Sequence, residues 1–139
     1  MSEPFLLAIS KLANILFTRE LQSRFDSSKT PITCISVQPG VVRTEGSISN
    51  TDALGLVGWV IGWIIRLVGM TPVEGAYTSL FAATSPLVSA HPELYKGGYL
   101  KPFDRLSSSS DWSYDKDGLG MDLWNCSEEL TEICLRDQN

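Results

Sequence analysis

The chain is poor in the residues that mark several common functions. Its 139 residues hold one histidine, His91, and three cysteines, Cys34, Cys126 and Cys134. His91 stands beside Pro92 with no Cys, His or carboxylate at ligand spacing, so it reads as a surface loop residue and no metal site is expected. An odd set of cysteines without framework spacing excludes a disulfide scaffold and points to a reduced, intracellular compartment, cytoplasmic or membrane-associated. Cys126 and Cys134 share a helix face at a separation too great to bridge, and all three thiols are expected as small buried hydrophobes. No basic cluster is present, which excludes nucleic acid as a partner. The apolar run at Met1–Ala8 is short and has no basic region before it, so no signal peptide is expected.

What is present suits one globular domain, with 43% hydrophobic residues to build a core. Charge is unevenly spread. Residues 1–50 carry five Lys/Arg against four Asp/Glu, residues 51–103 three against three, and residues 104–139 three against nine. The net charge of −5 therefore belongs to the C-terminal segment, which reads as a solvated acidic face.

Periodicity predicts a helix over 8–25, where Leu12, Ile15, Leu16, Phe17, Leu21 and Phe25 make an apolar surface wider than one stripe, to be covered on more than one side. A loop through Pro31 leads to a strand over 32–37, apolar on both faces as in a parallel sheet and closed by Pro39-Gly40. The segment 53–70 is the least polar of the chain. Thr71-Pro72-Val73-Glu74 is a strong helix start, with a capping Thr, Pro at the first helical position and a Glu to close the box. That helix should run over 71–84, with Val73, Ala76, Tyr77 and Leu80 inward, and end at Ser85-Pro86. A second short strand follows at 97–101. Leu106 to Asp117 reads as a polar loop, and a last helix covers 119–135 with Leu119, Leu123, Leu130 and Ile133 at helical spacing. Two strands and about four helices make a poor sheet by themselves, and an apolar first strand with an unpaired edge is an aggregation hazard.

Two segments carry a resemblance. Ile9-Ser10-Lys11-Leu12-Ala13-Asn14-Ile15-Leu16-Phe17-Thr18-Arg19-Glu20-Leu21 and Ile32-Thr33-Cys34-Ile35-Ser36-Val37-Gln38-Pro39-Gly40-Val41-Val42-Arg43-Thr44 together resemble the short-chain dehydrogenase/reductase family. There, a helix with Tyr-x-x-x-Ser/Ala-Lys leads to a strand ending in Pro-Gly-x-Val-x-Thr. The runs Thr71–Ala76, Gly97–Pro102 and Leu123–Leu130 resemble its retinol-dehydrogenase-like branch, so the likeness runs from about Ala8 to Leu135. It implies an α/β fold: the C-terminal part of a Rossmann-like, doubly wound parallel sheet, with the nucleotide-binding half absent from this sequence.

The resemblance also implies a chemistry. NADP or NAD would exchange hydride with a hydroxyl or carbonyl of a lipophilic substrate. Lys11 would hold the nicotinamide ribose and lower the pKa of the family's Tyr. Pro39 and Gly40 would form the turn that approaches the cofactor, the backbone at Val42 would meet the carboxamide, and Thr44 would bond the carboxamide or the pyrophosphate. The proton-donating Tyr would stand four residues before Lys11, one helical turn away on the same face. Leu7 occupies that place, and neither Tyr-x-x-x-Lys nor Gly-x-x-x-Gly-x-Gly occurs in the chain. The polypeptide by itself is therefore expected to be inactive. It then reads either as part of such an oxidoreductase, or as a non-catalytic remnant or interaction module paired with a full-length relative, the family commonly forming oligomers through the helix at 8–25.

The segment 53–70 keeps three readings. By position it matches the family's substrate segment, with Leu56, Trp59, Val60 and Trp63 against a lipophilic substrate. It also suits contact with a membrane surface, although Arg66 and four glycines argue against a span. The third reading is plain core or subunit contact through Gly58-x-x-x-Gly62.

Overall fold

The structure is a computed structural model, and the residues it describes are 3–45, 55–107 and 118–136. In chain order the elements are helix α1 (Glu3–Ser27), strand β1 (Ile35–Val37), helix α2 (Gly55–Val68), helix α3 (Pro72–Thr84), short helices α4 (Pro86–Ala90) and α5 (Pro92–Tyr95), strands β2 (Gly98–Lys101) and β3 (Arg105–Leu106), and helix α6 (Leu119–Arg136). They fall into two compact units, one of Met1–Ser36, His91–Tyr99 and Ser107–Asn139, the other of Val37–Ala90 and Leu100–Leu106.

The sheet has the order β1-β2-β3. β1 and β2 run in the same direction, as the ascending bonds from Gly97 N–H to Cys34 C=O and from Gln38 N–H to Leu100 C=O require. β2 and β3 are antiparallel, with Leu100 opposite Leu106 and Lys101 opposite Arg105. The described residues are mostly helical with one small mixed three-stranded sheet, part of a Rossmann-like fold. Its third strand corrects the expected loop: Leu106 pairs with the fully buried Leu100 instead of opening the polar run, most of which lies outside the described residues.

In the first unit, α1 packs on α6. Leu16 is buried, and Phe17 stacks on Trp124 with ring centroids 5.1 Å apart, while the Arg24 guanidinium lies 4.3 Å over the same indole. This aromatic contact sets the packing face of α6. Leu119, Leu130 and Ile133, which lie at helical spacing, are exposed, and Cys126 and Cys134 are exposed rather than buried. The strand is shorter than expected because a side chain takes its first backbone groups. Gln22, 4% exposed, donates to Ile32 C=O at 3.2 Å and accepts from Cys34 N–H at 2.7 Å. Ladder pairing therefore starts late, and the buried amide is satisfied. Burial pushes the Cys34 thiol upward, with nearby Asp26 adding to the effect. His91 is exposed, as a surface loop residue should be, and pairs with Glu93 at 3.4 Å.

In the second unit, Leu100 and Val88 supply buried apolar side chains. Helix α3 starts as its sequence demands. Thr71 Oγ1 accepts from Glu74 N–H, and Thr71 N–H donates to Glu74 Oε2 at 2.7 Å, closing the capping box with Pro72 at the first helical position. Its buried face is not the expected one. Gly75 and Thr78 are buried, whereas Val73, Ala76, Tyr77 and Leu80 are exposed. The absence of a side chain at Gly75 draws that face of the helix onto Val42, and Val73, Tyr77 and Leu80 on the apolar stripe stay largely exposed. Pro86 and Pro92 each start a further short helix after Ser85, at the first-turn position where a missing N–H costs nothing.

Candidate functional site

The Pro39–Thr44 segment leaves the carboxyl end of β1, the edge at which open α/β sheets bind ligands. Its shape is fixed from several sides. Gly40 adopts φ +81°, a conformation open to glycine, and a Cβ there would stand 2.5 Å from Met70 Cε and 2.7 Å from Pro102 Cγ. Val42 forms a parallel bridge with Met70, made by Met70 N–H donating to Val41 C=O and Arg43 N–H donating to Met70 C=O, each at 2.9 Å. The Arg43 guanidinium donates to Arg66 C=O at 3.1 Å and so satisfies a carbonyl in the last turn of α2. Thr44 is exposed, and its N–H donates to Val42 C=O at 3.0 Å. The turn is thus held by backbone bonds to residue 70 and by contact with Gly75 and Pro102.

Lys11 lies in the other unit, on the exposed face of α1. Leu7 sits one turn before it, exposed, and its carbonyl accepts from Ser10 Oγ at 2.8 Å. Among the described residues no carboxylate pairs with Lys11. On α2, the candidate substrate residues Leu56, Trp59, Val60 and Trp63 are all exposed, and the helix buries Gly58 and Gly62 instead. No described helix is long and apolar enough to cross a membrane. The described residues contain no group of three or more His, Cys, Asp or Glu placed to hold a metal ion.

Residue reasoning missed Met70, Arg43 and Gly75 as the supports of the turn. The isolated glycine within the pattern of α3 was the available signal, because such a residue commonly marks a close backbone approach. Nothing in the periodicity of the apolar segment singles out Met70.

No protein-family model matches the chain, and no solved structure does so significantly. Curated relatives do match. A short-chain dehydrogenase/reductase of Armillaria gallica is 37% identical over 76% of this chain and 33% of the relative. Retinol dehydrogenase 14 of Homo sapiens is 35% identical over 95% of this chain and 37% of the relative, and polyprenol dehydrogenase of Homo sapiens is 33% identical over 91% and 36%. The chain spans about a third of the length of each of these proteins. It belongs to the short-chain dehydrogenase/reductase family, whose members are NAD(P)-dependent oxidoreductases, and corresponds to part of the family's domain.

Proposed function

We propose that this chain supplies the nicotinamide-proximal part of an NAD(P)-dependent oxidoreductase that moves hydride to or from a hydroxyl or carbonyl of a lipophilic substrate. The observation that carries the reading is the Pro39-Gly40 turn at the carboxyl end of β1, held by Met70 and Pro102. Lys11 would hold the ribose, and Pro39, Gly40, Val42 and Thr44 would meet the nicotinamide end. These groups suit NADP or NAD: a cation, a turn that allows close backbone approach, and a hydroxyl. The names of two relatives, for retinol and polyprenol, support a lipophilic substrate, with Leu56, Trp59, Val60 and Trp63 as its apolar cover.

Bound cofactor supplies the hydride; the protein must supply the proton and the geometry. Leu7 has no proton to give. With no tyrosine there and no glycine-rich pyrophosphate loop in its 139 residues, the polypeptide by itself is inactive on this reading. The test is a chimera with the preceding segment of the Armillaria gallica relative joined ahead of Met1, assayed by NADPH oxidation with retinal. With Leu7→Tyr it should turn over, and with Leu7 retained the rate should fall about 10²–10⁴-fold, the usual worth of a general acid. A folded Leu7→Tyr chimera that fails to oxidise NADPH sinks the reading.

A second reading is favoured by the start of α1, where Phe5, Leu6, Leu7 and Ile9 are exposed. An apolar helix end of this kind suits a non-catalytic module pairing with a full-length relative. Sedimentation of the chain with and without that relative separates the two.

A further inference from the structure

Helix α2 carries the densest run of exposed apolar side chains among the described residues. Nine of its fourteen residues are large apolar side chains between 37% and 80% exposed, well beyond the scattered apolar residues of an ordinary soluble face. We infer that α2 lies flat in one leaflet of a phospholipid bilayer, with its aliphatic arc among the acyl chains and Arg66 at the headgroup phosphates. The inference does not rest on the oxidoreductase reading.

Orientation comes first. The helix meets the body of its unit through small residues. Gly58 and Gly62 are buried, and Gly69, next on the same stripe, would place a Cβ 2.7 Å from Arg43 Cγ. At about 100° per residue, the order away from that stripe is Arg66, then Trp59 and Trp63, then seven exposed aliphatic residues centred on Val60 and Ile64. The apolar arc thus spans roughly 200° of the helix, about twice the stripe that packs a helix against one rigid neighbour. A fluid phase covers the whole of such an arc, where a second folded surface would cover only part of it.

The kinds of residue around the helix pick the phase. A cation, then two indoles, then aliphatic side chains follow the polarity of a leaflet from phosphate through the headgroup boundary to the acyl chains. Arg66 is exposed, and among the described residues no carboxylate pairs with it, so its guanidinium is open to a phosphate. The helix itself holds no acidic residue. Its length keeps it from spanning: fourteen residues rise about 21 Å against a hydrocarbon core of about 30 Å. The chain's net charge of −5 opposes attraction to an anionic surface, so apolar burial supplies the affinity and a zwitterionic lipid suffices.

The experiment floats the 139-residue chain through a density gradient with phosphatidylcholine vesicles. The chain should rise with the vesicles, and added phosphatidylserine should not strengthen the binding. Val60→Glu with Ile64→Glu, both on the arc away from the glycine stripe, should weaken it about tenfold or more while leaving the helical circular dichroism unchanged. Val60→Leu with Ile64→Leu should float as the wild type does. Phe5→Ser with Leu6→Ser, at the exposed apolar start of α1, should also leave flotation unchanged. Lipids brominated near the headgroup should quench tryptophan fluorescence more than lipids brominated near the methyl ends, and Trp59→Phe with Trp63→Phe should remove that difference. Should the Glu pair unfold the chain, the quenching result decides alone. Several results would each overturn the inference: no flotation, flotation that survives the Glu pair or is lost with the Phe5 and Leu6 pair, binding only with phosphatidylserine, or a quenching difference that persists without Trp59 and Trp63. So would a dimer in sedimentation that the Glu pair dissolves while vesicles go unbound, because the arc would then belong to a second copy.

Discussion

Val42 fills the space that a side chain at Gly75 would need: a Cβ on Gly75 would stand 2.5 Å from Val42 Cγ2 and 3.2 Å from Cγ1. Val42 cannot easily give way, because it is β-branched and its two chain neighbours are bonded to Met70. Gly75→Ala therefore sets overpacking of about 1–3 kcal/mol against a helix-propensity gain of about 1 kcal/mol. A net loss of about 1 kcal/mol is expected in urea unfolding. Combined with Val42→Ala, which removes both methyl groups, the variant should be less destabilised than the sum of the singles by about 1 kcal/mol. Strict additivity would mean that the two residues do not press on each other.

A second prediction concerns Gln22, whose amide joins α1 to the chain entering β1. Gln22→Leu keeps the volume but leaves Cys34 N–H and Ile32 C=O without the bonds they now make. A fully buried backbone group left unpaired costs about 1–3 kcal/mol, and these two, being part-buried, should together cost about 1–3 kcal/mol. Gln22→Glu retains an acceptor for Cys34 N–H but places a carboxylate beside Asp26 Oδ1, which now accepts from Gln22 Nε2 at 3.0 Å. The Leu variant's loss should shrink only slightly in acid, as Asp26 loses the charge that Gln22 now helps to hold, whereas the Glu variant should recover much more as pH falls and the pair becomes protonated. Parallel pH profiles for the two would refute the assignment of that bond.

The helices were legible in the sequence where a local signal was strong. Thr71-Pro72-Val73-Glu74 carries its own capping chemistry, and α3 starts there whatever packs on it. The face that α3 buries was not legible, because the apolar stripe through Val73, Tyr77 and Leu80 and the small-residue face through Gly75 and Thr78 compete, and long-range contact with Val42 decides between them. β3 escaped notice because two residues set no period. Gln22 escaped notice because a polar residue on an exposed-looking helical position gives no sign that the backbone of residues 32–34 will reach it. At the candidate site, Pro39-Gly40 could be read as a turn, but its support by Met70 and Pro102, both remote in sequence, could not.

Trp124 should be the residue on which the α1–α6 contact depends most. Its indole lies between the Phe17 ring and the Arg24 guanidinium, a stack and a cation–π contact on one side chain. Because it is half-buried, Trp124→Ala should cost somewhat less than a fully buried aromatic truncation, about 2–3 kcal/mol. Removal of Phe17 and Trp124 together should reveal a coupling of about 0.5–1.5 kcal/mol, the usual worth of an aromatic pair. Thermal unfolding of the four species measures it, and zero coupling would mean that the rings are neighbours without interacting.

Acid should weaken the fold through two carboxylates. A hydrogen bond from Lys96 is the largest cause holding Asp26 below its ordinary range, with Gln22 assisting; for Glu74 the largest cause is the Thr71 backbone N–H. A carboxyl whose pKa is lower in the folded chain than in the unfolded chain stabilises the fold above the unfolded value, and that contribution disappears as pH falls through the folded value. Both groups should thus help fully at neutral pH and give up their help below the ordinary carboxylate range. Urea midpoints of the wild-type chain and Asp26→Asn should differ modestly at pH 7, as suits an exposed ion pair. The gap should close as pH falls through the lowered Asp26 value, and 1 M salt should narrow it at pH 7 while leaving the low-pH midpoints together. A gap that persists undiminished in strong acid would show that the substitution acts through packing rather than through the charge of Asp26.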